Sequence, residues 1–230
     1  MIPPFDLLAS SWVGSLVGLR HALEPDHVAA VSTLLDRERN PYRAALLGAW
    51  WGLGHTLALV AAGLALMLLR VEMPGRLAVA FELVVAVMLI GLGLRSIGEA
   101  LRRGAQGPLH LHRHRMVEHR HPAGAAHVHV GRWTLAVKPL LIGAVHGLAG
   151  SGALMALVFT SLPSDGARLA YVVLFGLGST LSMAALSGLL GLPLARLGSN
   201  ALVGRTVSIA VGAVSTAIGI AWGLAAWGRL

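Results

Sequence analysis

The sequence predicts an all-α, multi-spanning membrane protein with six transmembrane helices in two related halves. Three observations predict this fold class. Of the 230 residues, 56% are hydrophobic and only 12% are charged, whereas a soluble domain carries about 25% charged residues. The hydrophobic residues fall into six long segments, and two stretches of the first half recur in the second half.

Each segment is long enough to cross the roughly 30 Å hydrocarbon core of a bilayer, which requires about 20 mainly apolar residues. The predicted spans are residues 7–33, 44–69, 77–99, 134–160, 168–192 and 202–226. A polar stretch between the third and fourth spans divides the chain into three parts. These are a first three-helix repeat (1–101), a histidine-rich loop (102–132) and a second three-helix repeat (133–230).

Basic residues lie mainly on one predicted side of the membrane. Of the 18 lysines and arginines, twelve lie at loops on the side of residues 102–132, four lie on the opposite side and two lie within spans. Basic loops favour the cytoplasmic side, so we expect a cytoplasmic histidine-rich loop and both termini outside a cell membrane, either plasma or inner. Because the charge is spread between apolar segments, it does not predict nucleic-acid binding.

Two matches at nearly the same offset predict an internal repeat. Residues 17–23 (VGLRHAL) match 142–148 (IGAVHGL) at an offset of 125, and 52–57 (GLGHTL) match 176–181 (GLGSTL) at an offset of 124. Three spans are an odd number, so the two halves would have opposite orientations in the membrane. Inverted repeats with a midplane site at their interface are a recurring plan of secondary transporters.

A cluster of ionisable residues interrupts the first predicted span. It contains His21, Glu24, Asp26 and His27, and such groups cost several kcal/mol in lipid unless they pair, bind an ion or face water. Pro25 lacks the N–H that would bond to the His21 carbonyl, so we expect a broken helix with that carbonyl free. Broken helices are tolerated at membrane depth where they line a cavity.

His55 and His146 also lie within predicted spans, and His146 is the repeat counterpart of His21. If the repeats pack together, both could join His21, Asp26 and His27 in one metal site. Several imidazoles with one carboxylate suit nickel, cobalt, zinc or copper and do not suit magnesium or calcium. The absence of cysteine excludes thiolate ligands. Structural pairing of the first cluster, a helix–helix hydrogen bond for His55 and simple packing of His146 remain alternatives.

The sequence leaves the roles of several other polar residues open. Arg20 and Glu24 are four residues apart and can neutralise each other on a helix, while Glu82 is either a carboxylate on the access path or a solvated interfacial residue. The loop histidines indicate either metal binding or a basic solvated loop without a packed core. They are His110, His112, His114, His119, His121, His127 and His129.

These motifs resemble the nickel/cobalt transporter family, including its urease-associated nickel permease branch. The family's hallmark is a histidine, four residues and then Asp-His, as at 21–27, and its next motif is Leu-Gly-His followed by Ser or Thr, as at 53–56. A histidine-rich cytoplasmic loop follows in the same order. The resemblance implies metal transport through these motifs. Long members have eight spans and Asp/Thr-rich motifs in the second half that this chain lacks, so second-half ligands are not carried over.

The sequence therefore predicts a secondary transporter that moves Ni²⁺ or Co²⁺ as its substrate, with no resident cofactor and no enzymatic activity. Protons are a candidate coupling ion, because protonation of histidine competes with metal. Three alternatives stay open: an exporter of an anion or small metabolite on a related fold, a metal-delivery accessory protein, and an intramembrane metalloenzyme. The last is disfavoured because the sequence contains no His-Glu-x-x-His motif.

Overall fold

The computed structural model describes most of the chain as long helices. The described residues are 4–35, 38, 40–71, 73–102, 111–114, 117–120, 128–130, 133–135, 137–162, 164–197 and 201–230. They form seven α-helices: α1 Pro4–His21, α2 Pro25–Leu35, α3 Pro41–Leu69, α4 Gly75–Arg102, α5 Val137–Ser161, α6 Asp165–Leu197 and α7 Ala201–Trp227.

The predicted break in the first span is present, with α1 ending at His21 and α2 beginning at Pro25. Proline suits the first position of a helix, where its missing N–H has no intrahelical partner to lose. The predicted free carbonyl on His21 is wrong, because the backbone N–H of Glu24 donates to it at 3.0 Å. A tight turn at the end of α1 satisfies this group, as i→i+3 bonds often do at helix ends.

Among the described residues, four helices are long and apolar enough to cross a membrane. They are Pro41–Leu69, Gly75–Arg102, Asp165–Pro193 and Leu202–Trp227. Their outward faces are apolar, with Val87 69%, Leu181 67% and Leu224 69% exposed. Soluble proteins rarely present large contiguous apolar surfaces to water, so the chain is a membrane protein. The span count of six remains a prediction, resting in addition on the broken α1–α2 segment and on α5.

Between α4 and α5, the described residues include short strands in the predicted histidine-rich loop. Two short antiparallel pairs form here, and they are β1 Leu111–His114 with β2 Val117–Arg120 and β3 Val128–Val130 with β4 Trp133–Leu135. Histidine alternates with other residues in this loop, which suggested metal binding. The same period of two is also typical of the side chains of a β-strand. Of the loop histidines, His110, His121 and His127 lie outside the described residues, and the other four lie on strands.

The helices pack in reciprocal pairs. α1 packs against α6, and α5 packs in the same way against α3. Likewise, α2 contacts α7, and α5 contacts α4. In addition, α3 packs against α6 and α4 packs against α7. In the predicted repeat, α1 and α2 correspond to α5, α3 corresponds to α6, and α4 corresponds to α7. Exchanging each helix with its counterpart leaves this set of contacts unchanged.

Glycines at matching positions make several of the closest approaches between these helices. A Cβ on Gly18 of α1 would collide with the carbonyl of Phe175 on α6, and a Cβ on Gly143 of α5 would collide with the carbonyl of Trp51 on α3. Gly18 and Gly143 differ by 125 positions, and Trp51 and Phe175 differ by 124. Small residues let membrane helices approach this closely, so the two interfaces are built in the same way.

The α3–α6 interface contains the second repeated motif packed against itself. The Thr56 hydroxyl donates to the Gly176 carbonyl at 2.8 Å and lies 2.8 Å from the Thr180 hydroxyl. A Cβ on Gly52 would meet Thr180, just as one on Gly176 would meet Thr56. Hydroxyl hydrogen bonds of this kind hold helices together where lipid offers no polar partner.

Candidate metal centre

The broken helix places three ionisable side chains at the centre of the bundle. His21 is the last residue of α1, and Asp26 and His27 lie in the first turn of α2. Asp26 is 2% exposed and His27 is 1% exposed. The positive end of the α2 dipole favours the Asp26 carboxylate, while the negative end of the α1 dipole favours a cation beside His21. The break in the helix thus brings together one helix end whose dipole favours a carboxylate and another whose dipole favours a cation.

Two other helices bring the remaining predicted residues to the same place. His55 on α3 lies with its Nε2 atom 3.2 Å from Nε2 of His21. His146 on α5 lies with its Nε2 atom 2.9 Å from Oδ2 of Asp26, and in that contact the imidazole N–H donates to the carboxylate. Both His55 and His146 are buried.

His27 is at the middle of this cluster. Its ring centroid lies 4.4 Å from that of His21, 4.5 Å from that of His146 and 5.5 Å from that of His55. Two sets of three side chains share it, and within each set the possible ligand atoms lie within 4.8 Å of one another. The sets are His21, His27 and His55, and Asp26, His27 and His146. All five residues predicted from the sequence therefore come together.

Several buried ring nitrogens in the cluster have no hydrogen-bond partner among the described residues. They are both nitrogens of His27 and the Nδ1 atoms of His55 and His146. Oδ1 of Asp26 also lacks a hydrogen bond, although it lies 3.1 Å from Nδ1 of His27. Each buried polar group without a partner costs about 1–3 kcal/mol. A neutral imidazole has one N–H and one nitrogen lone pair, so His27, His55 and His146 can each offer one ligand atom to a cation.

Glu24 has a different partner from the one that helical spacing predicts. Its carboxylate lies 3.0 Å from Nδ1 of His21, and the ion pairs of the described residues do not include one between Glu24 and Arg20. The reason is the turn between α1 and α2, which ends the helical spacing after His21. Arg20 is exposed and lies outside the cluster.

Sequence reasoning missed two aromatic residues that border the cluster. The Trp51 ring centroid lies 5.5 Å from that of His27 and 5.7 Å from that of His146. Phe175 lies with its ring centroid 5.2 Å from that of His21. The repeat could have identified both, since they occupy equivalent positions four residues before His55 and its counterpart Ser179, on the same helix face. These rings exclude water from one side of the site.

A cavity of about 280 Å³ connects part of the cluster to the surface. Its lining includes His21, Glu24, Asp26, His27, Glu82, His146, Ala149, Trp222, Ala225 and Arg229. Glu82 thus lies in the lining of this cavity, and its role on an access path stays a prediction. With neutral imidazoles, this lining carries three carboxylates and one guanidinium. Clefts lined with one sign of charge concentrate ions of the opposite sign, so the cavity attracts cations.

Comparison with known proteins adds a relative of nearly the same length. Urease accessory protein UreH of Bacillus sp. (strain TB-90) is 30% identical over 215 residues, which are 94% of this chain and 90% of UreH. The chain belongs to the UreH family. As its name states, UreH is an accessory protein of urease.

Two plant proteins match the UreH-like chain over part of their length. The chloroplast proteins FOR GROWTH AND FERTILITY 1 and 2 of Arabidopsis thaliana are 27% and 28% identical over 199 and 188 residues. The matched regions are 80% and 81% of this chain but only 50% and 48% of the plant proteins. No family model matches the chain, and no solved structure matches it.

Proposed function

We propose that this chain is a secondary transporter that carries a divalent transition-metal ion, Ni²⁺ or Co²⁺, across a cell membrane. The observation that supports it most is the buried cluster around His27. Four imidazoles and one carboxylate from four helices meet there, and several of their buried ring nitrogens lack a hydrogen-bond partner among the described residues. Groups this expensive in lipid mark ion pathways and substrate sites.

The ligand chemistry favours a transition metal as the substrate. Imidazole nitrogen suits nickel, cobalt, zinc and copper, whereas magnesium and calcium prefer oxygen ligands. Two nitrogens 3.2 Å apart, as in His21 and His55, can both lie about 2.1 Å from one ion. The resemblance of the 21–27 and 53–56 motifs to the nickel/cobalt transporters selects Ni²⁺ or Co²⁺ within this group. The metal is cargo, and we propose neither a resident cofactor nor catalysis.

The reciprocal helix packing supports a 3+3 inverted repeat with six spans. The repeats are residues 1–101 and 133–230, joined by the cytoplasmic loop 102–132, with both termini outside. In this arrangement the site lies between the halves, and rocking of one half against the other exposes it alternately to each side. Proton binding by the imidazoles would compete with the metal and couple its movement to a pH gradient.

Reconstitution tests this function directly. Purified protein in liposomes is expected to carry radioactive Ni²⁺ or Co²⁺ at rates well above those of protein-free liposomes, and to carry neither Mg²⁺ nor Ca²⁺. An imposed pH gradient should change the rate if protons are coupled to transport. Metal flux equal to that of empty liposomes under every gradient would contradict the proposal.

A second candidate function is metal delivery by a non-transporting accessory protein, which the name of UreH favours. Deletion of residues 108–130 separates the two. A transporter should keep most of its metal flux without this loop, because the cluster around His27 lies wholly within the helices. An accessory protein that works through the loop histidines should lose its function. Urease activation in cells, measured beside flux in liposomes with the same variant, gives the two readouts.

The remaining transport alternative is an exporter of an anion or small metabolite, and the charge of the cavity disfavours the anion. Three of the four charged side chains that line the cavity with neutral imidazoles are carboxylates. An anion in this cavity would be repelled, and Arg20, whose charge suggested the alternative, does not line it.

A further inference from the structure

An ion pair lies at the open end of the cavity. Glu82 is in the second turn of α4, and Arg229 follows the end of α7. Both nitrogens at the tip of Arg229 contact the carboxylate, with Nη1 3.3 Å from Oε1 and Nη2 against Oε2. A two-point contact of this kind is the common geometry of an arginine–carboxylate pair.

Exposure falls steadily along the cavity from this pair to the metal cluster. The side chain of Arg229 is 55% exposed and that of Glu82 is 26% exposed, whereas Asp26 is 3% exposed and His146 is 2% exposed. Glu24, at 48%, shares the outer part. An ion that enters from this side therefore meets Glu82, Arg229 and Glu24 before it meets the buried Asp26 and His146.

We propose that Glu82 and Arg229 form a charge-selective gate for the metal cavity, with Arg229 acting as a tethered cation on the carboxylate. This inference rests on the proposed metal transport. A divalent ion that replaces the guanidinium at Glu82 brings one more positive charge to a cavity with a net negative lining. A monovalent cation brings no additional positive charge. It must also compete with the Arg229 guanidinium, whose covalent attachment to the chain keeps its local concentration high. An anion meets the Glu24 carboxylate in the outer part of the cavity and the Asp26 carboxylate behind the gate.

The alternative is that the pair only fastens α4 to α7. These helices already have other fastenings, since the Ser96 hydroxyl donates to the Ser208 carbonyl at 3.1 Å and the Ser215 hydroxyl donates to the Leu89 carbonyl at 3.0 Å. A purely structural pair would affect thermal stability and leave the concentration dependence of transport unchanged. The two roles therefore differ in a measurable quantity.

Metal flux in liposomes with neutral variants tests the gate. Glu82→Gln is expected to raise the KM for Ni²⁺ or Co²⁺ about ten-fold, because the cation loses its first carboxylate. Arg229→Gln is expected to lower it about three-fold, because the competing cation is gone. In the double variant, Arg229→Gln should have no further effect, since it acts through Glu82. The matched control is Arg95→Gln, which breaks another exposed α4 ion pair, Arg95–Glu99, away from the cavity.

A second measurement does not depend on transport. The natural chain contains no cysteine, so Ala225→Cys introduces a single thiol into the cavity lining. A cationic, membrane-impermeant methanethiosulfonate should modify it several-fold faster than an anionic one. Glu82→Gln should reduce that ratio, and Arg229→Gln should increase it. Unchanged ratios, or unchanged KM values in a protein that carries metal, would overturn the gate. Altered ratios in a protein that carries no metal would support the gate and refute the metal cargo.

Discussion

Replacement of Asp26 with asparagine is expected to reduce Ni²⁺ or Co²⁺ flux about 100-fold or more. The carboxylate is the one negative charge buried within the cluster, and it contacts both His27 and His146. Without it, a doubly charged ion enters a buried site with no compensating charge, which is costly in a low-dielectric interior. Radioactive metal uptake by liposomes at equal protein content measures the effect.

The asparagine variant separates charge from structure. Its side-chain oxygen can still accept the hydrogen bond from His146, so the packing around α2 should persist. Asp165→Asn is the matched control, because Asp165 is also an aspartate in the first turn of a helix but is 74% exposed. This control should carry metal at the wild-type rate. Asp26→Asn flux within about two-fold of wild type, with a normal thermal midpoint, would remove Asp26 from the ligand set.

The cluster around His27 could be predicted because the cost of its polar groups in lipid can be read from the sequence. His21, Asp26 and His27 lie beside Pro25 within an apolar segment, and a buried histidine–aspartate group without a function is too unfavourable to be filler. The repeat offset then linked His146 to His21. The prediction of His21, Asp26 and His27 depends on local sequence and on the membrane as solvent, whereas that of His55 and His146 also assumed that the two repeats pack together.

The access path could not be predicted in the same way. Glu82 and Arg229 are 147 positions apart. Nothing in the sequence around either residue indicates that the two side chains face each other. The partner of Glu24 could not be predicted for a related reason, because its contact with His21 depends on the turn that follows α1. Spacing rules apply within an unbroken helix, and the candidate site of this chain lies where the helix is broken.

Alanine at Gly143 is expected to destabilise the protein by about 1–3 kcal/mol and to reduce metal flux about ten-fold or more. The new methyl group would collide with the carbonyl of Trp51 and press on its ring. α5 would then move away from α3 and shift His146, three residues further along, relative to Asp26. Metal sites require their ligands to be held within about 0.5 Å. Thermal unfolding in detergent and flux in liposomes measure the two effects.

Two other glycines make this test specific. Gly98 on α4 has open space where a Cβ would be, so Gly98→Ala should match or exceed the wild-type stability, since alanine is the better helix former. Gly18→Ala would collide with the Phe175 carbonyl across α1 and α6 and, if the halves are repeats, should cost about as much as Gly143→Ala. A tolerated Gly143→Ala would contradict the close α3–α5 contact. A large cost at Gly143 with none at Gly18 would contradict the equivalence of the two halves, because equivalent interfaces must respond alike to the same added methyl group.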